Sequence, residues 1–404
     1  MLSNPCQELP LATQTRTVTS PKTQESEFQT EQVLTIVGGH FIHDMFSAFF
    51  SPLLPLIIVR FSLTLTMAGT LWTFLQLPAL LNPFIGYLAD KVSLRYFVIL
   101  APAITASLMS VVGLAPNYLT LAILLFAGGI SAAAFHAPTP AMIARISGDR
   151  LGKGMSLFMA AGELGRTVGP LLVVWAVSVW SLEGIARLMV VGWAASLVLF
   201  WRLHNIPARS TKTQGWLEMM PPARRVFVPL VGLIIPRQCL LIALSVYLPT
   251  FMNMEGASLW VAGASLSIWE LAGVGGALVG GTFSDRWGRR TVLFAAMTSS
   301  SLLMLVFLNL SGWLLAPVLI LLGFTSLSTT PVMLAVVQEH LPHNRALANG
   351  LFMSITFLVR SIAAFAVGLV GDSLGLRSAF FWSAIISLLA IPVIFYLPQV
   401  RNQE

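Results

Sequence analysis

From Tyr96 to Leu114 the chain runs without one charged side chain, close to the ~20 apolar residues that carry a helix across about 30 Å of hydrocarbon. Runs of this kind recur from one end of the 404 residues to the other. Overall 56% of residues are apolar and 10% are charged, against roughly 25% charged in an ordinary soluble domain. So few charges cannot cover a soluble surface of this size, and the predicted solvent is lipid. Breaking the runs at Gly, Pro and charged clusters predicts an all-α integral membrane protein of twelve transmembrane helices, near 33–59, 66–89, 96–115, 118–137, 154–180, 185–203, 226–251, 257–283, 291–310, 312–337, 347–370 and 377–397.

Charge in the loops sets the expected topology. Arg16, Lys22, Lys91, Arg95, Arg145, Arg150, Lys153, Arg202, Arg209, Lys212, Arg224, Arg225, Arg286, Arg289, Arg290, Arg345 and Arg401 fall in the tails and even-numbered loops; the other loops hold only Arg60, Arg187 and Arg377. The positive-inside rule then places both termini in the cytoplasm of an inner-membrane protein. Residues 1–30, rich in Gln, Thr, Ser and Glu, lack the apolar stretch of a secretory signal and are predicted to be a disordered cytoplasmic tail. The polar stretch 204–225 reads as a cytoplasmic linker between six-helix bundles at 31–203 and 226–398, with a short tail at 399–404. A net charge of +7 spread over short loops is no basic face, so nucleic acid is not an expected partner. Cys6 and Cys239 have no metal or disulfide spacing.

The two bundles read as an internal repeat. Ser156-Leu-Phe-Met leading to Arg166 matches Gly350-Leu-Phe-Met leading to Arg360. The same offset of 194 pairs Gln76 with Glu270, and His43 and Asp44 with Arg237 and Gln238. Repeat-built transporters hold their substrate at mid-membrane between the repeats, which makes these polar residues the candidate site.

A charge at the bilayer centre costs at least ~2.5–3.5 kcal/mol, so each buried ionisable residue is a functional candidate. His40 and Asp44 lie one helical turn apart with His43 adjacent to Asp44, and imidazole titrates near neutrality, so this turn is a candidate proton-binding point together with Glu163 and Glu270. Glu163 and Arg166 are placed to pair within one helix, and Glu270 with Arg360 across a cavity. A guanidinium in this set suits a bidentate clamp on an anionic substrate.

Two loops share one pattern: Gly86-Tyr-Leu-Ala-Asp90-Lys91-Val-Ser-Leu-Arg95 and Gly281-Thr-Phe-Ser-Asp285-Arg286-Trp-Gly288-Arg289-Arg290. The glycines are expected to let backbones approach, the aspartates to meet a basic partner or a helix N-terminus, and the basic residues to hold the cytoplasmic face. The pattern resembles the loop signature of the major facilitator superfamily, in which it implies a cytoplasmic gate released during alternating access; Ser93 stands where glycine is usual. Gly165-Arg-Thr-Val-Gly169-Pro170 resembles part of the helix-5 motif of that superfamily's drug/proton antiporters, without the glycine pair that usually follows. His40, Asp44-Met45, Phe61-Ser-Leu-Thr64, Gln76-Leu77, Pro83, Gly86-Tyr87, Asp90-Lys91 and Phe135-His136 with Pro138 look like the fosmidomycin-resistance-type efflux proteins.

That resemblance implies proton-driven efflux of a small toxic compound, with His40, Asp44, Gln76 and His136 lining the cavity beside Arg166, Arg237, Gln238 and Arg360. The expected partners are a small-molecule substrate, protons and the bilayer, with a monomeric chain, no cofactor and no metal. With no His-Glu-x-x-His motif and no phosphate-binding loop, an enzyme reading is poor and ATP is not the expected energy source. Proton-coupled import of an organic anion and, remotely, a membrane sensor are the alternatives.

Overall fold

The computed structural model describes residues 28–82, 84, 85, 88, 94–203, 220–341 and 345–398. Most of the predicted N-terminal tail, the linker core and the last six residues lie outside them. Ten helical stretches are long and apolar enough to cross a membrane. One of them, Gly152–Leu203, holds two helices: the first is kinked near its end at Ser181 (φ 63°, ψ 177°) and gives way to the second through a tight turn at Ile185–Leu188. With the short apolar helix Leu65–Leu81 the described residues provide the twelve predicted helices, and no strand.

They are α1 (Thr30–Phe61), α2 (Leu65–Leu81), α3 (Arg95–Leu114), α4 (Tyr118–Ile146), α5 (Leu151–Gly184), α6 (Met189–Leu203), α7 (Arg224–Met254), α8 (Leu259–Trp287), α9 (Arg289–Leu308), α10 (Gly312–His340), α11 (Arg345–Leu374) and α12 (Leu376–Tyr396). Two interruptions shape the site. α4 runs nine residues past its predicted end at 137 but breaks between His136 and Thr139, because Pro138 has no N–H to continue the ladder. α7 carries a π-turn over Ala243–Tyr247, a local widening common at functional positions.

Lipid is as apolar as leucine, so helix association in a membrane relies on close packing at small residues. α1 lies on α5, α2 on α11, α5 on α8, α8 on α10, and α3 on α6. Gly165 and Gly169 of α5 sit against the carbonyls of Phe41 and Met45 in α1, where any Cβ would collide. The helix-5 motif is therefore a packing seam. The offset of 194 also appears in the contacts: Gly69 meets Ala364 where Gly263 meets Pro170, and Gly129 meets Leu75 where Gly323 meets Trp269.

The two ends of the bundle differ. Toward the α1–α2 turn, one apolar core unites both sets of six helices, with Phe46, Phe50, Leu71, Tyr247, Leu248 and Ala364 buried together. Toward the chain termini the core of the described residues divides between the two sets. One part, around Val33, Ile99, Phe158 and Leu203, belongs to the first six helices; the other, around Leu230, Leu293, Val336 and Phe352, belongs to the last six.

Polar bonds reinforce the joined end. The Asp372 carboxylate of α11 accepts from Leu65 N at 2.7 Å, Thr66 N at 2.8 Å and Thr66 Oγ1 at 2.5 Å, capping α2 from the opposite set of helices. The Tyr247 hydroxyl lies between the carbonyls of Leu65 (3.1 Å) and Ala364 (2.8 Å). A helix cap contributes about 0.5–2 kcal/mol. Asp372→Ala is expected to lower the unfolding free energy of the solubilised protein by that amount, and Asp372→Asn by less, as read from thermal unfolding; equal melting of Asp372→Ala and wild type would show that the cap does not hold the bundle.

Candidate functional site

Near the middle of α1, His40, His43 and Asp44 are all buried, with at most 4% of any of them exposed. Their neighbours come from α4 and α5. His43 Nδ1 donates to Asp44 Oδ1 at 2.9 Å, and His136 Nε2 lies 3.2 Å from the same oxygen. Arg166 Nη1 donates to Asp44 Oδ2 at 2.9 Å, and His40 Nε2 stands 3.4 Å from it. The other arm of Arg166 pairs with Glu163. One carboxylate thus meets three imidazoles and a guanidinium, which replace the water it gave up.

The rings are held from behind. His40 stacks on Phe158 with centroids 3.9 Å apart, and His43 on Phe135 at 4.5 Å. His40 Nδ1 is 2.7 Å from the Phe158 carbonyl, and a carbonyl only accepts, so Nδ1 carries a hydrogen and Nε2 is the atom turned toward Asp44. Gly162 makes room for this ring, since a Cβ there would meet both His40 and Asp44. The cluster is reached from one side. The side chains of His136, Arg166 and Glu163 are 37%, 38% and 24% exposed, which in mid-bundle means an accessible space between the two sets of helices.

The last six helices present a different surface to that space. Arg237 is buried, donating through Nε to Thr329 and through Nη2 to Thr330, both at 2.5 Å. Gln238 beside it is buried with its Oε1 unpartnered. Phe135 and His136 stand 194 residues before Thr329 and Thr330, so each set braces its first helix with the same turn of its fourth. One brace is acid and imidazole, the other guanidinium and hydroxyl.

The expected Glu270–Arg360 pair does not form: no ion pair within 4 Å joins them. Arg360 instead sits over the Trp72 ring, 5.9 Å from its centroid, with its Nε buried and unpartnered. Glu270 and Gln76 are half-buried on α8 and α2. Sequence reasoning passed over Phe158, Thr329 and Thr330 and met Phe135 only within the resemblance, because an apolar or weakly polar side chain carries no signal on its own.

In the second signature loop, Arg289 binds Asp285 at 2.6 Å and Glu339 at 2.5 Å, tying the ends of α8 and α10. Arg290 Nε donates to the Leu397 carbonyl at 3.0 Å. Gly288 turns the chain at φ +85°, which only glycine adopts cheaply. Gly281 makes no close approach, contrary to expectation: nothing lies within 4 Å of where its Cβ would be, because α8 faces outward there. Arg286 is exposed. In the first loop Gly86, Asp90 and Lys91 lie outside the described residues, and Arg95 stacks on Tyr96 at 5.0 Å.

A sequence model described as Major Facilitator Superfamily matches residues 36–364 and 276–404. The chain is 26% identical over 377 residues to the fosmidomycin resistance protein of Escherichia coli (strain K12), covering 91% of this chain and 92% of that protein. It is 26% identical over 387 residues to the uncharacterized MFS-type transporter YfnC of Bacillus subtilis (strain 168), with the same coverage. Among solved structures, a bacterial homologue of the human lysosomal transporter Spinster, inward-facing and occupied, superposes with a TM-score of 0.78 at 13% identity, over 91% of this chain and 96% of that one. The D-xylose–proton symporter superposes with a TM-score of 0.70 at 15% identity, over 93% and 100%. Two six-helix sets joined through α2–α11 and α5–α8, with a family match running almost end to end, leave one assignment: this chain belongs to the Major Facilitator Superfamily and is a multi-pass membrane transporter, not an enzyme.

Proposed function

We propose that this transporter exports a small drug-like or anionic, phosphonate-like compound across the inner membrane in exchange for protons, by alternating access. The observation that carries the reading is the Asp44 carboxylate enclosed by His40, His43, His136 and Arg166 in mid-bundle. A transporter that used no proton has no need of four titratable groups on one buried carboxylate, each costly to place there. In this cycle a proton arriving on the His136 side is taken up by the Asp44–histidine cluster. That uptake weakens the hold on Arg166, which then engages the anionic group of the substrate.

Arg237 and Arg360 add positive charge from the last six helices and favour a substrate with negative charge. The relative named for fosmidomycin resistance supports export. The united core at the α1–α2 end and the divided core at the terminal end support an access route from the side of the termini, which the positive-inside pattern assigns to the cytoplasm. The Arg289 brace between α8 and α10 acts as a strut in the gate on that face. A monomer holds the whole site and needs no cofactor.

The test uses protein in liposomes with a trapped pH dye, offered small phosphonates, organic acids and amphiphilic cations. A transported compound is expected to move protons in the wild type, with Asp44→Asn reducing that flux to the protein-free background. Undiminished flux in Asp44→Asn sinks the role given to this carboxylate. Flux only on substrate entry with the proton gradient, together with failure of a deletion strain to grow on that compound, would favour import. No flux with any compound would favour a sensor.

Arg166→Lys keeps the charge but loses the fork. A hydrogen bond to a charged group is worth about 1.5–3 kcal/mol, so the apparent KM for an anionic substrate is expected to rise about 10- to 100-fold. An unchanged KM would remove Arg166 from the substrate site.

A further inference from the structure

Three of the groups around Asp44 do more than compensate its charge. His40, Asp44 and His136 each offer a ligand atom, and these atoms all lie within 4.8 Å of one another. We infer that they form a binding site for a divalent transition-metal ion of the zinc type. The two imidazoles flank the carboxylate, one on each oxygen: His40 Nε2 to Asp44 Oδ2 is 3.4 Å and His136 Nε2 to Asp44 Oδ1 is 3.2 Å. Ligands at the ~2.0–2.1 Å of a Zn–N or Zn–O bond stand about 3.3–3.4 Å apart around a tetrahedral ion.

The surroundings are those a metal-binding histidine needs. A ligating imidazole ordinarily gives its second N–H to a carbonyl or carboxylate, which fixes the ring and directs the lone pair of the other nitrogen to the ion. His40 does this through Nδ1 to the Phe158 carbonyl at 2.7 Å. Its Nε2, on a residue only 4% exposed, is left without a hydrogen-bond partner and turned into the cluster. His43 holds the Asp44 carboxylate in place from the other side at 2.9 Å.

Two imidazoles and a carboxylate are a borderline-soft set that suits zinc, cobalt and nickel and discriminates against calcium and magnesium. They leave a fourth position open toward the accessible side, beside the partly exposed His136. Charge also permits a cation. With the imidazoles neutral, Asp44 and Glu163 share one permanent cation, Arg166; the guanidinium lies on Oδ2, and Oδ1, which also accepts from His43, faces His136. The expectation of no metal came from sequence spacing, and His136 lies 92 residues from Asp44, beyond the reach of any local motif.

The test is a titration of the tag-free, full-length protein in detergent with Co2+, whose visible bands reveal tetrahedral coordination, followed by displacement with Zn2+. One equivalent of Co2+ is expected to give these bands in the wild type and in His340→Gln, which lies outside the cluster with its Nδ1 beside the Val336 carbonyl. His40→Gln and His136→Gln, checked for intact helical content and monodisperse elution, are expected to bind at least ~10-fold more weakly. Absence of a one-equivalent band in the wild type, or equal binding in folded His136→Gln, overturns the inference. The readout needs no proton gradient, so it stands or falls separately from the flux lost in Asp44→Asn.

Discussion

Everything in the first six helices is arranged around the need to keep one carboxylate in a membrane. An isolated Asp44 at mid-bilayer would cost several kcal/mol, and its four cationic or hydrogen-bonding neighbours come from three helices. Bringing them within 3.4 Å requires α1 and α5 to touch, which is why Gly162, Gly165 and Gly169 line one face of α5 at the level of His40 to Met45. It also requires His136 to end its helical segment, which Pro138 ensures. The glycine seam and the proline break are thus consequences of the charge as much as of packing.

The same skeleton serves a different chemistry in the last six helices. Contacts repeat at the 194-residue offset, down to the carbonyls that the equivalent glycines meet. Yet Arg237 braced by two threonines stands where His43 braced by Phe135 does. Backbone approach is set by small residues and survives duplication. The polar groups that project from it are free to diverge, and here the brace of the first helix is acid and imidazole in one set and guanidinium and hydroxyl in the other. An accessible space between unlike surfaces offers a substrate two kinds of contact.

The joined end of the bundle is where the two sets are tied together. Asp372 caps α2 from α11, and Tyr247, set by the π-turn of α7, reaches two carbonyls of different sets. These bonds are few and polar and lie over a shared apolar core. At the terminal end the described apolar core is divided between the sets, and the last six helices are braced internally by Arg289 across α8 and α10.

The sequence by itself determined the solvent, the helix count, the repeat and the membership of the family, because each rests on local quantities: the length of apolar runs, the spacing of glycines and charges, and short signatures in the loops. It also singled out Asp44, His40, His43 and Arg166, since an ionisable residue in an apolar run declares itself. Only the tertiary structure decided which of these charges meet. It joined Arg166 to Asp44 as well as to Glu163, separated Glu270 from Arg360, which went to the Trp72 ring, and left Gly281 without a neighbour. It alone brought His136 to a carboxylate 92 residues away and revealed the Asp372 cap, 307 residues from Leu65. The physical reason is range: periodicity and motif act within a few turns of helix, whereas a charge in a membrane is stabilised by whatever groups the helices bring within a few ångströms of it, wherever those stand in the chain.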